Sequence, residues 1–377
     1  METLAAVRIR EILSLRLVKS SSYNFPGVDK DILIYGAGNC GKEVAQFLEN
    51  RGMKVAGFLD TNIPSGTLVG KYIVKHPDDL QNICNIDNIL VIIAVFNPFG
   101  NIQAIIETLR KIGYLNILTF PAFHSFFAEE YGSHFCLGST KCFDGIDNIL
   151  AETAEIFYDQ ASRELYYAIL SFRCSTDYSY LPPPSQESQY FDDSVTRWEA
   201  PISFVDCGSF TGDTLDELYR HYGTVESIVA FEPDIGNFRI MTDKLRNSPH
   251  KYSKQITSFP NGIWSETEML SFSSGMGASS SVSLGGLNSI QAVSLDDALN
   301  CFRPSVIKMD IEGAELNALY GAKRIIHQYK PKLAISVYHS PEHLWEIPQL
   351  ISDWGLGYRF LLRCYCQSSF DTVLYAI

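Results

Sequence analysis

Three things are missing from this 377-residue chain: a basic run, a long apolar run, and a cysteine pair at metal-ligand spacing. The net charge is -13, from 43 acidic against 30 basic residues. That balance argues against a nucleic-acid backbone or an anionic membrane surface as partner and leaves a neutral or modestly charged small molecule. The longest apolar runs, such as Ile89 to Phe96, fall far short of the ~20 residues a membrane helix needs, so no integral membrane segment is expected. Met1 to Lys19 sets Arg8, Arg10 and Arg16 among leucines at helical spacing, without the apolar centre and cleavage site of a signal peptide. The nine cysteines are scattered, and the closest pair, Cys364 and Cys366, would share one face of a strand, a poor zinc geometry. Reduced thiols and a cytoplasmic location are the expectation. A hydrophobic content of 46% against 19% charged residues supplies large cores, and the length suggests two or three domains.

The richest stretch is Val205-Asp206-Cys207-Gly208-Ser209-Phe210-Thr211-Gly212-Asp213-Thr214. An apolar strand runs into an acid, a glycine turn and a helix start, as in loops that bring backbone close to a nucleotide cofactor. A second apolar strand, Ile228 to Phe231, ends in Glu232, about 20 residues beyond the glycines, where a carboxylate can accept both ribose hydroxyls. The spacing Asp206-x-Gly208-x-x-x-Gly212 differs from a dinucleotide fingerprint, and the loop has no basic residue to meet a pyrophosphate. A nucleoside cofactor without phosphates fits better, and S-adenosylmethionine is the obvious one.

Periodicity divides the chain into an N-terminal helical segment (1–30), a Rossmann-like unit (31–125), a helical connector with a proline-rich loop (126–200) and a second β/α unit (201–377). In the first unit, strands are expected at Ile32 to Tyr35, Lys54 to Leu59, Ile89 to Val95 and Asn116 to Phe120. Pro121 to Asp147 reads as connector, Ala151 to Arg173 as one amphipathic helix, and Ser185 to Gln189 as a loop that Leu181 to Pro184 hinges over the site. The second unit predicts seven strands, at Ile202 to Val205, Ile228 to Phe231, Gln255 to Phe259, Val306 to Met309, Leu333 to Val337, Arg359 to Tyr365 and Thr372 to Ile377. The short turn before the last makes that pair antiparallel. The fold class is therefore α/β: two Rossmann-like units, the second a mostly parallel seven-stranded sheet with an antiparallel terminal hairpin.

Four landmarks fall where strand ends meet loops, the edge at which open α/β sheets bind ligands. They are Asp206 with Gly208 and Gly212, then Glu232, then Asn261-Gly262, then Lys308-Met309-Asp310-Ile311-Glu312-Gly313-Ala314-Glu315. Together with Phe204-Val205-Asp206-Cys207-Gly208, Phe231-Glu232-Pro233 and Ser294-Leu295-Asp296-Asp297, these residues resemble FkbM-type methyltransferases over Pro201 to Ile377. The resemblance implies S-adenosylmethionine as cofactor and O-methylation of a sugar or other small polar acceptor. Asp206, Gly208, Gly212 and Glu232 would then hold the cofactor; Ser209, Thr211 and Thr214 of the loop, with Asn261, Gly262 and Asp310, are further candidates.

His339, at the end of the fifth strand, and Asp310 are the candidate proton acceptors. Asp310, Glu312 and Glu315 also allow a Mg²⁺ site, or a structural one in which Glu315 opens a helix. Ser271 to Gly286, with Ser279, Ser280 and Ser281, reads as an ordered active-site loop or hairpin able to bond a polyol, or as a plain flexible surface loop.

The first unit has its own fingerprint, Gly36-Ala37-Gly38-Asn39-Cys40-Gly41, after a strand, opening a helix, with Asp60 at the next strand's end. With Phe58-Leu59-Asp60 and Asn97-Pro98 it is similar to the nucleotide-sugar-binding domain attached to some sugar acetyltransferases. A nucleotide or nucleotide-sugar ligand and a degenerate domain that forms a homodimer or presents substrate both remain open. Two rivals remain: a scaffold keeping the methyltransferase fold, and an NAD(P)-dependent oxidoreductase, which lacks a Tyr-x-x-x-Lys or acid/His set.

Overall fold

The computed structural model describes residues 3–20, 25–27, 29–80, 86–273, 281–282 and 288–377. They form two compact units: 1–151 with 165–184 and 366–370, and 152–164 with 185–365 and 371–377.

The first unit begins with helix α1 (Leu4–Ser20) and continues β1 (Asp31–Tyr35), α2 (Asn39–Glu49), β2 (Val55–Leu59), β3 (Leu68–Val69), β4 (Tyr72–Lys75), β5 (Ile89–Ile93), α3 (Ile102–Ile112), β6 (Ile117–Thr119) and α4 (Phe120–Tyr131). Its sheet runs β3-β4-β2-β1-β5-β6, parallel except for the β3–β4 pair. Every residue of β5 is buried, as a central parallel strand requires. The β3–β4 hairpin has no counterpart in the sequence reading. It is short and its side chains are half exposed, so it carries little apolar signal.

Helix α4 occupies the start of the segment expected, from its poor periodicity, to be a connector after Phe120. Thr119 caps it through the Ala122 N–H, and Pro121 sits in its first turn, where a missing N–H costs nothing. Phe120 and Phe123 are fully buried, and the rings of Phe123, Phe127 and Tyr131 pack on Phe47 of α2 with centroids 5.8, 5.2 and 5.0 Å away. The segment expected as one amphipathic helix is two, α5 (Asp147–Ile156) and α6 (Gln160–Ser175), with Asp159 between them accepting from the Ser162 N–H at 2.8 Å.

The second unit contributes β7 (Ser203–Cys207), α7 (Asp213–Tyr222), β8 (Val225–Phe231), α8 (Ile235–Asn247), β9 (Ser253–Phe259), β10 (Gly262–Ile263), β11 (Glu268–Ser273), β12 (Ser281–Val282), β13 (Asn288–Val293), α9 (Leu295–Ala298), β14 (Val306–Met309), α10 (Glu315–Tyr320), α11 (Lys323–Tyr329), β15 (Lys332–Ser336), α12 (His343–Asp353), β16 (Phe360–Cys364) and β17 (Thr372–Ala376). Its main sheet runs β16-β17-β15-β14-β7-β8-β9, with β17 antiparallel to both neighbours. All seven expected strands are present. Phe204, Leu215, Leu218, Ile228, Ala230 and Met241 build one face of its core. A second, four-stranded sheet, β10-β13-β11-β12, includes an antiparallel β11–β12 pair in the Ser271 to Gly286 segment, where a loop or hairpin is expected; the rest of that sheet has no counterpart in the sequence reading. Ser279 and Ser280 lie outside the described residues.

Because β7, β8, β14 and β15 are mutually parallel, their carboxyl ends share one edge. The loops that leave it carry Asp206 to Thr214, Glu232, Asp310 to Glu315, and His339.

Candidate functional site

The loop after β7 turns on Gly208, whose φ of 83° lies in the left-handed region. A Cβ there would sit 1.9 Å from the Asp310 carbonyl oxygen, so β14's end approaches too closely for any side chain. The N–H groups of Gly208 and Ser209 both donate to the Phe231 carbonyl at 3.0 Å, fixing the loop to β8. Ser209 Oγ donates to the Asp206 carbonyl at 3.1 Å, Gly212 (φ 80°) leads into α7, and Thr214 is buried in its first turn. Thr211 is half-buried in the turn before Gly212.

Glu232 closes this loop. Its Oε2 accepts from the Phe210 N–H at 2.8 Å and its Oε1 from the Asp234 N–H at 2.8 Å. Each oxygen therefore keeps lone-pair capacity for a further donor. Burial pushes the carboxyl pKa up to about 7 against the pull of those two N–H groups.

Asp206 takes a different place from the one expected. It is wholly buried beneath the loop, with its Oδ1 3.1 Å from Lys308 Nζ, and Lys308 is 2% exposed. The two residues are register partners on β7 and β14. Lys308 also donates to the Gly208 carbonyl at 2.6 Å, so the ion pair supports the loop from below. Burial disfavours the ammonium charge, but Asp206, Asp310 and Asp213 outweigh it and hold the Lys308 pKa above its usual value. Lys308 went unassigned in the sequence, although a lysine inside a buried strand signals a partnered charge.

Asn261 donates to the Gln291 carbonyl at 3.1 Å and Gly262 pairs with Ala292, so this landmark ties β10 to β13.

Beyond β14 the chain builds a charged cluster. Glu315, fully buried, accepts from the Ile311 N–H at 2.8 Å, the Gly313 N–H at 3.0 Å and His339 Nδ1 at 2.8 Å, with His343 Nδ1 3.3 Å away. His339 and then His343 outweigh burial and hold its carboxyl far below the usual range. His339 Nε2, on a side chain 2% exposed, has no hydrogen-bond partner, and lies 3.5 Å from Asp310 Oδ1 and 3.4 Å from Glu312 Oε2. Burial opposes the imidazolium, but Glu315 and then Asp310 and Glu312 push its pKa up to about 10. Glu312 is not helical, as a shared face with Glu315 would need: its φ is 55°, in the left-handed region. Burial raises its carboxyl pKa to about 8, with His339 pulling the other way.

Asp310, Glu315 and His339 bring potential ligand atoms within 4.8 Å of one another. Glu315 is already committed to backbone and imidazole donors, and an imidazole is a poor member of a Mg²⁺ shell, which prefers hard oxygens. Among the described residues the expected set, Asp310, Glu312 and Glu315, does not gather as a metal-holding group, so a Mg²⁺ site is not supported.

In the first unit, Asp60 Oδ2 accepts from the Ala37 N–H at 2.9 Å, and Oδ1 from the Asn62 and Ile63 N–H groups at 2.8 and 3.1 Å. A Cβ on Gly41 would lie 1.9 Å from the Gly36 carbonyl oxygen, whereas one on Gly38 meets nothing within 4 Å. Gly41 thus lets α2 pack against the turn, and Gly38 stands at the helix start.

A seven-stranded sheet with an antiparallel β17, a glycine turn after β7 and an acid after β8 defines a methyltransferase-type fold. The family description "Methyltransferase FkbM domain" matches residues 206–360, and "PglD N-terminal domain" matches residues 31–99. The chain therefore carries an FkbM methyltransferase domain behind a PglD-type N-terminal domain. Among solved structures, the methyltransferase FkbM from Methylobacillus flagellatus KT matches 98% of this chain and 93% of its own, with TM-score 0.76 and 24% identity, a likeness of fold. Aeropyrum pernix fibrillarin, solved with natively bound S-adenosyl-L-methionine, covers 47% of this chain and 66% of its own at 9% identity and TM-score 0.31, too distant to carry an argument. No curated protein matches the chain. Among the described residues no helix is long and apolar enough to cross a membrane.

Proposed function

We propose that this methyltransferase uses S-adenosylmethionine to methylate an oxygen of a small polar acceptor, with a sugar as the leading class. The observation that carries the reading is the juxtaposition at one sheet edge of Glu232, with acceptor capacity left on both oxygens, and of His339, whose Nε2 is buried and unpartnered. Glu232 suits the two hydroxyls of a ribose, and the Asp206 to Thr214 loop contains no Lys or Arg to favour a phosphate. The residues thus fit an adenosyl cofactor. S-adenosylmethionine would supply a methyl group already activated on a sulfonium.

The chain's own part is alignment and proton removal. Asp310 and His339 line the acceptor side. With its pKa near 10, His339 carries a proton at neutral pH, so Asp310 is the group that takes the acceptor's proton, and the imidazolium balances the charge. Glu315 fixes the imidazole through Nδ1, as a buried carboxylate does in other acid–histidine pairs.

The PglD-type domain favours a nucleotide-linked sugar as the acceptor. Asp60 Oδ1 already accepts two backbone N–H groups, so Asp60 keeps open capacity on Oδ2 alone where Glu232 keeps it on both oxygens, which weighs against the oxidoreductase reading. The test is formation of S-adenosylhomocysteine by the full-length protein with methyl glycosides, nucleotide sugars and amines offered in parallel. Turnover with a hydroxyl-bearing sugar and none with an amine supports the proposal. Tight cofactor binding with no turnover on any acceptor would favour a scaffold instead.

A further inference from the structure

Tyr190 lies upstream of the matched methyltransferase domain, yet its phenol reaches into the charged cluster. It is 5% exposed, and its hydroxyl donates to Asp310 Oδ2 at 2.8 Å. Its φ of 67° is unusual for a bulky residue, so the surroundings must hold the backbone there. They do so through a chain of polar contacts. The Tyr190 N–H donates to Tyr375 Oη at 3.1 Å, Tyr375 Oη lies 2.7 Å from Tyr365 Oη, and Tyr365 Oη donates to Asp192 Oδ2 at 3.0 Å. Asp192 and Tyr375 are both buried. The Tyr190 ring also stands 5.4 Å from Lys308 Nζ, within cation–π range of the ammonium that supports the Gly208 turn.

Asp310 has two partners of unequal quality: Tyr190 at 2.8 Å on Oδ2 and the Tyr338 hydroxyl at 3.4 Å on Oδ1. The Oδ1 atom stops 3.5 Å short of His339 Nε2, outside a good hydrogen bond. The last torsion of an aspartate is soft, so a carboxylate freed on one side would turn toward the nearest charged donor. That donor is His339, 3.5 Å from Oδ1, and the turn would close the Asp310 carboxylate off from an acceptor.

We infer that Tyr190 is a positioning residue of the methyl-transfer site: its hydroxyl holds the Asp310 carboxylate away from His339 and leaves that carboxylate open to the acceptor. The role rests on the function proposed above, but the contact it describes is tested without cofactor. A ring that serves only packing is replaced by phenylalanine without consequence, because Tyr190→Phe keeps the ring and loses only the hydroxyl.

The experiment records the imidazole ¹⁵N signals of the full-length protein at fixed pH, with the His339 resonance assigned by its absence in His339→Gln. Wild type, Tyr190→Phe, Asp310→Asn and the double variant are compared, with thermal melting as the control for folding. The expected result is a melting temperature within a few degrees of wild type for Tyr190→Phe and a displaced His339 Nε2 signal. In the Asp310→Asn background the same substitution then produces no further displacement. An unmoved His339 signal in folded Tyr190→Phe overturns the inference, as does an equal displacement in both backgrounds. Calorimetric titration of S-adenosylmethionine into the same samples separates the two claims. Absence of binding in the wild type would defeat the methyl-transfer proposal while leaving the tether to be judged by the imidazole signal.

Discussion

The two units solve one structural problem twice. In each, a strand runs into a glycine turn, the turn's first N–H donates to the carbonyl ending the neighbouring strand, and the acid that follows reaches back to a loop N–H. Gly36 bonds Leu59 O at 2.7 Å and Asp60 bonds the Ala37 N–H at 2.9 Å; Gly208 bonds Phe231 O at 3.0 Å and Glu232 bonds the Phe210 N–H at 2.8 Å. They differ in what lies beneath. The next-to-last residues of β1 and β5, Ile34 and Ile92, are fully buried apolar partners, whereas their counterparts on β7 and β14 are Asp206 and Lys308. A buried ion pair is seldom kept for stability, because desolvation offsets its attraction. We propose that its presence under only one of the two loops reflects a loop shape held for chemistry. The acids differ as well: Asp60 accepts three N–H groups and Glu232 two.

The largest effect should come from breaking the ion pair. Lys308→Met strands Asp206 in the core and should destabilise the protein by about 3–5 kcal/mol in denaturant unfolding. Ile92→Val at the matching site should lose only about 0.5–1.5 kcal/mol. Equal losses would mean that the charge contributes nothing particular.

A smaller effect is expected at Asp60. Asp60→Asn leaves one oxygen to serve three loop N–H groups and should lower stability by about 1–3 kcal/mol. Calorimetry should show its S-adenosylmethionine affinity unchanged, and a parallel fall in affinity would tie the first loop to the cofactor.

The smallest effect is the dependence on pH. The Glu232 carboxyl, lifted by burial to about 7 from its ordinary value of 4.5, binds a proton more readily in the folded protein than in the unfolded chain. Its contribution to stability is therefore lost as pH rises from about 4.5 through 7. Cofactor binding should run the other way, since a ribose needs the carboxylate. Affinity should rise about tenfold from pH 6 to pH 8 and level off above. Glu232→Gln should abolish the slope; a slope that persists in that variant would assign it to another group.

The central strands β7, β8, β14 and β15 were legible because buried parallel strands are apolar along most of their length, and the glycine turns were legible from their place between strand and helix. Helix α4 was not, because its face is built of phenylalanines that read as irregular, and the β3–β4 hairpin was not, because it buries so little. At the site, Glu232, Asp310 and His339 all announce themselves at strand ends. Lys308 was in view and unread, since its partner is set by sheet register rather than by spacing along the chain. Tyr190 could not be found at all: the 120 residues between it and Asp310 are bridged only by the fold.

The central claim is that the second glycine loop, with Glu232, holds the methyl donor. Calorimetric titration of S-adenosylmethionine into the full-length wild type and Glu232→Gln tests it directly. The account predicts saturable binding by the wild type and a loss of roughly 10–100-fold in the variant, the value of a charge-assisted hydrogen bond of ~1.5–3 kcal/mol. A wild type that does not bind, or a variant that binds as tightly, would contradict it.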